Sequence, residues 1–466
     1  MKDLFIKAKN TLCDNRIFER FFIGATICCF ITWLILLLKE GTTSEQFKVF
    51  FESTNDLFAD MTNVVGWTSQ RDVYNNAMYT PVGDKPYPAL NYLIVYFFSR
   101  TIDMKPYLEN EFFLNIYWNS RFMIIYLLFV IFTLVAFYQV VQQAKTGSGK
   151  VRAFMAMVVL FSSPMIYTIE RGNFVLHSMI CVFIFLLYYD SPDKWKRELA
   201  LICLAIATAL KVTPALLGIL LLYDKKWKEV LHIIIYGLIF GLLPFLFFKG
   251  GFSNILTMLR NMKLNLQMYA ASEGCTLYAT YLYCDGKENV AVQEILKAVT
   301  YASCVLFLIS IPFLKIRWQK WLAVLLVLVI APSRSGQYCI IYLIPAMIVF
   351  FNEKEHNLSE WIVMILFILI LNPIQGGIWR ILDFHMGIVG LVAYMFVRCV
   401  VVLCQDLVQV KMSFSHSNLP AIPKLPVDTI LQNHRVTYNR NDYEFVWYYK
   451  TFPSIQIPGG MHVCNC

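Results

Sequence analysis

Apolar stretches recur along the chain at residues 20–38, 118–141, 153–168, 174–189, 199–223, 229–248, 292–314, 321–332, 337–351, 359–373 and 386–404, with polar loops between them. A helix that crosses a bilayer needs about 20 apolar residues. The pattern therefore predicts an all-α, polytopic membrane protein with about ten spanning helices, several of them short. The first stretch starts near residue 20, is long enough to span, and lacks a small-residue cleavage site, so it is expected to stay as an anchor.

Positive loops set the expected orientation. Lys2, Lys7, Lys9, Arg16 and Arg20 precede the first stretch and place the N-terminus in the cytoplasm, with residues 39–117 outside. Lys145, Lys150 and Arg152 then fall inside, Glu170 to Asn173 outside, and Lys194, Lys196 and Arg197 inside. The stretch 199–223 breaks this alternation, because Lys225, Lys226 and Lys228 after it also belong inside. Pro214 in Leu210-Lys-Val-Thr-Pro214 resolves the conflict. Proline cannot donate to a helix and disfavours helix in the residue before it, so two short helices can enter and return with Lys211 near their outer tip. Both termini then come out cytoplasmic.

Composition narrows the class. Of 466 residues 58% are apolar and 15% charged, against roughly half and a quarter in soluble domains, which excludes a water-soluble globule. The net charge of +9 is spread over short loops with no basic block, so nucleic acid is not an expected partner. The 16% aromatic share suits interfacial belts and lipid-facing surfaces. No Cys/His spacing resembles a zinc site and no Gly-rich nucleotide loop is present, so neither metal nor cofactor is expected. Cys275 and Cys284 share the external loop 249–291 and are the one pair placed to form a disulfide if their geometry allows. Residues 1–404 read as the membrane-embedded domain and 405–466 as a weakly ordered cytoplasmic tail.

The external segment 39–117 is too long for a connector, and long loops often carry function. Asp56 and Asp60 would share one face of a helix just beyond the first span. A carboxylate at the water–lipid boundary suits a general base for a hydroxyl attacking a lipid-borne electrophile; it equally suits a helix cap or a solvated surface. Pro86 to Phe98 in the same segment reads as an interfacial helix. Glu170-Arg-Gly-Asn173 sits at an outer helix end, where Arg171 can fork onto phosphate oxygens or simply mark the boundary. Lys211 costs roughly 2.5–3.5 kcal/mol if near the bilayer centre, less if it snorkels outward. Beside a broken helix it can hold a phosphate. Pro332-Ser-Arg334-Ser-Gly-Gln-Tyr338 is a further candidate, and Arg380 and His385 are weaker ones.

Taken in order, the loop Asp, the Arg-Asp-x-Tyr and Tyr-Pro stretches, Glu-Arg-Gly-Asn, and Ala-x-x-Lys-Val-Thr-Pro-Ala-Leu-Leu resemble the GT-C superfamily of integral-membrane glycosyltransferases over roughly residues 20–350. Within it they most resemble glycosyltransferase family 87, which includes polyprenyl-phosphomannose-dependent mannosyltransferases. The resemblance implies an inverting transfer of a hexose, often mannose, from a polyprenyl monophosphate sugar to a glycan or glycolipid acceptor at the outer face of the plasma membrane. Carried over by position, Asp60 is the implied catalytic carboxylate, with Asp56 its rival. Arg171, Lys211 and Arg334 would hold the donor phosphate among membrane lipid, and Glu170, Asn173, Tyr74, Tyr87 and Tyr338 would bind substrate. Two competing readings are an oligosaccharide polymerase or ligase, and a transporter in which Lys211 binds without chemistry. The orientation has a direct test: a reporter fused after residue 228 reads cytoplasmic, and an external reading would remove the hairpin.

Overall fold

The computed structural model describes residues 13–42, 44–49, 57–76, 85–109, 113–268, 275–285, 289–332, 336–374 and 383–417. It is 80% helical, with no strand among the described residues. The principal helices are α1 (Asn15–Glu40), α2 (Ala59–Trp67), α3 (Ala89–Ser99), α4 (Ser120–Ala144), α5 (Gly149–Leu160), α6 (Ser163–Arg171), α7 (Val175–Tyr188) and α8 (Lys194–Leu210). They continue with α9 (Thr213–Tyr223), α10 (Trp227–Phe247), α11 (Asn254–Met268), α12 (Leu277–Asp285), α13 (Val290–Phe313), α14 (Arg317–Ile330), α15 (Gln337–Phe350), α16 (Glu360–Leu371) and α17 (Phe384–Ser417). Asp56, Arg334, Arg380 and the chain beyond Ser417 lie outside the described residues.

Many helix starts are written locally. Asp14, Asn119, Ser148, Asp193 and Asn289 each accept a hydrogen bond from a backbone N–H of the first turn of α1, α4, α5, α8 and α13, satisfying a donor that has no partner inside the helix. The breaks are local too. Pro164 begins α6 and cannot extend α5, and the two helices meet at 58°. Lys211 leaves α8 in an extended conformation (φ −142°, ψ 125°), and α9 begins at Thr213-Pro214.

The loops carrying most of the positive charge gather at one end of the helices. Lys145 Nζ donates to Phe351 O at 2.7 Å and lies 2.5 Å from Glu19 Oε1, and Tyr188 bonds Gln143. Lys226 Nζ donates to Tyr189 O at 3.2 Å, Arg197 pairs with Glu229 at 3.0 Å, and Lys320 lies 3.7 Å from Asp224. The contact of Lys226 with the end of α7 and of Glu229 with the first turn of α8 means that α8 and α9 leave this end and come back to it, as the hairpin requires. Lys211 and the turn 171–174 therefore lie at the opposite end.

Among the described residues, five helices are long and apolar enough to cross a membrane, α1, α4, α10, α13 and α17 to Val408, or six if bent α5 and α6 act as one, against the ten or so spans expected. Others, including α7, α9, α15 and α16, are apolar helices of 10–17 residues. Such lengths survive because neighbours enclose them: α14 is buried from Trp321 to Ile330 without interruption, the mark of a core helix apolar on every face. By contrast, no residue of Trp227–Gly237 in α10 is buried. The pairing of Cys275 and Cys284, left open by the sequence, is not made: both thiols are free, Cys275 just before α12 and Cys284 in its last turn.

Lys145 is buried, and besides Glu19 and Phe351 it donates to Thr146 O at 3.0 Å. Removing one member of such a pair leaves an uncompensated charge. Lys145→Met should lower stability by about 3 kcal/mol in detergent thermal unfolding, and Glu19→Gln on the same chain should recover part of it. An unchanged midpoint for the single variant would contradict the lock.

Candidate functional site

The catalytic candidate Asp60 sits in the first turn of α2, where the helix dipole favours a negative charge. It does not cap the helix: the N-cap is Phe58, in the left-handed region (φ 57°), with no side-chain cap bond. The Asp60 oxygens are turned to the α6–α7 turn instead. Arg171 Nη2 donates to Oδ1 at 3.1 Å and Asn173 Nδ2 to Oδ2 at 2.6 Å. Phe58 N donates to Glu170 O at 2.8 Å, so backbone and side chains dock the same two segments. Asn173 also accepts from Val175 N at 3.0 Å, capping α7 with the side chain that orients Asp60.

Gly172 permits this docking. It ends α6 at φ 67°, and a Cβ there would lie 2.8 Å from both Met61 Cβ and the Tyr126 hydroxyl. Only a residue without a side chain lets the turn approach α2 so closely. Glu170 is buried beside it.

Lys211 occupies a second cluster. Its ammonium lies 4.8 Å from the Tyr87 ring centroid and 5.3 Å from that of Tyr338, within the range of a cation–π interaction. The elbow is held by Asn91, whose Nδ2 donates to Leu210 O at 2.6 Å, while Lys211 N donates to Ala207 O at 2.9 Å. Tyr338 is placed by the turn at Gly336, whose carbonyl accepts from Cys275 Sγ at 3.6 Å. Tyr74 serves this cluster from behind. It is fully buried, stacks on Phe245 and donates to Tyr87 O at 3.0 Å, and burial pushes its phenol well above the usual range.

The expected site residues thus fall into two groups at one end of the helices. Asp60, Arg171 and Asn173 form one, with Glu170 at its backbone; Lys211, Tyr87 and Tyr338 form the other, with Tyr74 behind it. Trp67 links them, since its ring lies 6.4 Å from that of Tyr87 and it follows Asp60 by two helical turns on the same face of α2, roughly 10 Å away. Arg171, expected as a phosphate ligand, is engaged with Asp60. Gly172 was expected to allow the tight reversal into the next helix, and its φ of 67° is that of such a turn; Asn91 was not expected to matter, since it lay inside a stretch read only as an interfacial helix. His385 bonds Asp383 at 3.0 Å and stacks on Tyr283, both His385 and Asp383 being buried.

Helices running back and forth between two ends, several long and apolar enough to cross a membrane, with an oriented carboxylate and a caged lysine at one end, define a multi-pass membrane protein with a polar site. The family model of glycosyltransferase family 87 matches residues 112–334. Over those residues, just under half of the chain, the protein is similar to glycosyltransferases of that family. The match includes Glu170, Arg171, Asn173 and Lys211 and leaves out Asp60, Tyr74, Tyr87 and Tyr338. No curated protein and no solved structure matches the chain.

The close approach at Gly172 is testable. Gly172→Ala adds left-handed strain of about 1–2 kcal/mol and a steric clash with Met61. Glycosyl transfer should fall at least about tenfold, while Gly149→Ala, where a Cβ meets nothing within 4 Å, should keep it. Equal activities would dismiss the docking role.

Proposed function

We propose that the protein is an inverting hexosyltransferase that moves a sugar, mannose or another hexose, from a polyprenyl monophosphate carrier to a glycan or glycolipid acceptor at the outer face of the membrane. The observation that carries this reading is the pairing of Asp60 with Arg171 and Asn173, because it joins a carboxylate outside the family match to residues inside it. Asp60 takes the proton of the acceptor hydroxyl as that oxygen attacks the anomeric carbon. The bond from that carbon to the phosphate oxygen breaks on the opposite side, and Lys211 stabilises the departing phosphate.

In-line displacement requires base and phosphate ligand on opposite sides of the reacting carbon. With each contact about 3 Å long, this puts them roughly 10–12 Å apart. Lys211, set between two aromatic rings in the second cluster, is the phosphate ligand of this scheme. Arg171 becomes a positioning residue for Asp60. Tyr87 and Tyr338 hold Lys211 in an aromatic setting that lowers the cost of its charge without neutralising it. A fixed ammonium supplies the charge the leaving group needs, so the scheme routes no step through a metal. Arg334 and Asp56 retain the roles that the family resemblance gives them.

Asp60→Asn should leave the protein inserted and folded while lowering transfer from labelled polyprenyl-phosphate hexose by about 10²–10⁴-fold. Lys211→Ala should impair donor use far more than Lys48→Ala, which alters an exposed lysine paired with Glu45. Wild-type turnover in Asp60→Asn would refute the mechanism.

A further inference from the structure

Two buried polar groups beside the lysine cluster have no hydrogen-bond partner among the described residues: Trp67 Nε1 and Asn91 Oδ1. Trp67 is 5% exposed and Asn91 1%. An unmet buried donor or acceptor is costly and rare in a folded protein, so two of them on one cluster ask for a ligand. Both border Lys211. Asn91 holds the carbonyl of the residue before it through Nδ2, which leaves Oδ1 as the unmet atom. Trp67 lies against Tyr87, the ring under the Lys211 ammonium.

The chemistry of the pair selects the ligand. An indole N–H only donates and an amide oxygen only accepts. A phosphate accepts but does not donate when ionised, and the Asn91 oxygen would repel it. A hydroxyl does both. We propose that Trp67 and Asn91 form a sugar subsite, in which Trp67 Nε1 donates to one hydroxyl of the donor hexose and Asn91 Oδ1 accepts from another, next to the phosphate held by Lys211. The subsite rests on the transferase reading above and adds to it the residues that choose the sugar. The Trp67 and Tyr87 rings also offer apolar faces to the ring C–H groups. Asp60, two turns up the same face of α2, is left for the acceptor side.

The test pairs side chains with single hydroxyls. Wild-type protein is given a polyprenyl-phosphate hexose and its 2-, 3-, 4- and 6-deoxy analogues, and kcat/KM is measured for each. At least one analogue should be poorer by about tenfold, the weight of one hydrogen bond. Trp67→Phe should lower kcat/KM for the parent by a similar factor and bring the ratio of parent to that analogue close to one. Asn91→Leu, similar in volume, should level the ratio at a different hydroxyl. Wild-type protein that uses the parent but treats all analogues alike, or variants that keep the wild-type ratios, would overturn the subsite and assign the two atoms to bound water. Wild-type protein that consumes no polyprenyl-phosphate hexose would overturn the transferase reading and the subsite with it. The ratios are read within one protein, so a general loss of folded material does not alter them.

Discussion

Asp60 and Arg171 lie 111 residues apart in sequence and 3.1 Å apart in space, and the geometry of the polar end depends on that meeting. A short helix outside the family match, entered through a left-handed Phe58, is fixed to the bundle by one backbone bond, one ion pair and one amide bond, all to the turn 170–173. The ion pair is partly exposed, with side chains 12% and 20% accessible, so Coulomb attraction alone adds little net stability. Its value lies in direction: two donors from one turn hold the carboxylate plane, and each oxygen keeps a lone pair for a proton.

The second requirement is separation of charge. Were Lys211 to reach Asp60, carboxylate and ammonium would neutralise each other and neither would serve a substrate. The fold gives each its own company. Asp60 has the donors of Arg171 and Asn173. Lys211 lies against the rings of Tyr87 and Tyr338, which attract a cation. The elbow that delivers Lys211 is a local consequence of Pro214, and its placement is a tertiary consequence of Asn91.

Helix order, the hairpin at Pro214 and the gathering of basic loops were legible in the sequence because each follows from local rules: apolar length, proline chemistry and loop charge. The span count was less so, since an apolar run of 12–14 residues looks the same whether lipid or other helices surround it; α14 is enclosed by protein. Glu-Arg-Gly-Asn was legible as a polar turn, but not as the partner of Asp60, because no local rule specifies which distant turn a carboxylate meets. For the same reason the pairing of Arg171 with Asp60 was not legible. Tyr74, expected among the substrate-binding residues, is buried behind Tyr87. Whether Cys275 and Cys284 pair was open in the sequence, because it depends on tertiary geometry, and both thiols are free.

In the proposed reaction Asp60 is the base, and its two donors fix its orientation. The chemistry is glycosyl transfer. Its transition state is oxocarbenium-like, with bond breaking ahead of bond making, so the acceptor hydroxyl becomes acidic only as its oxygen closes on the sugar. What the base must supply is a lone pair at the right place at that moment, which orientation secures better than raw basicity. The arginine argues against Asp60 as a mere electrostatic partner of the developing positive charge, because Arg171 at 3.1 Å would cancel much of that benefit. Of the roles open to a carboxylate beside an anomeric carbon, proton acceptance is the one its neighbours leave intact.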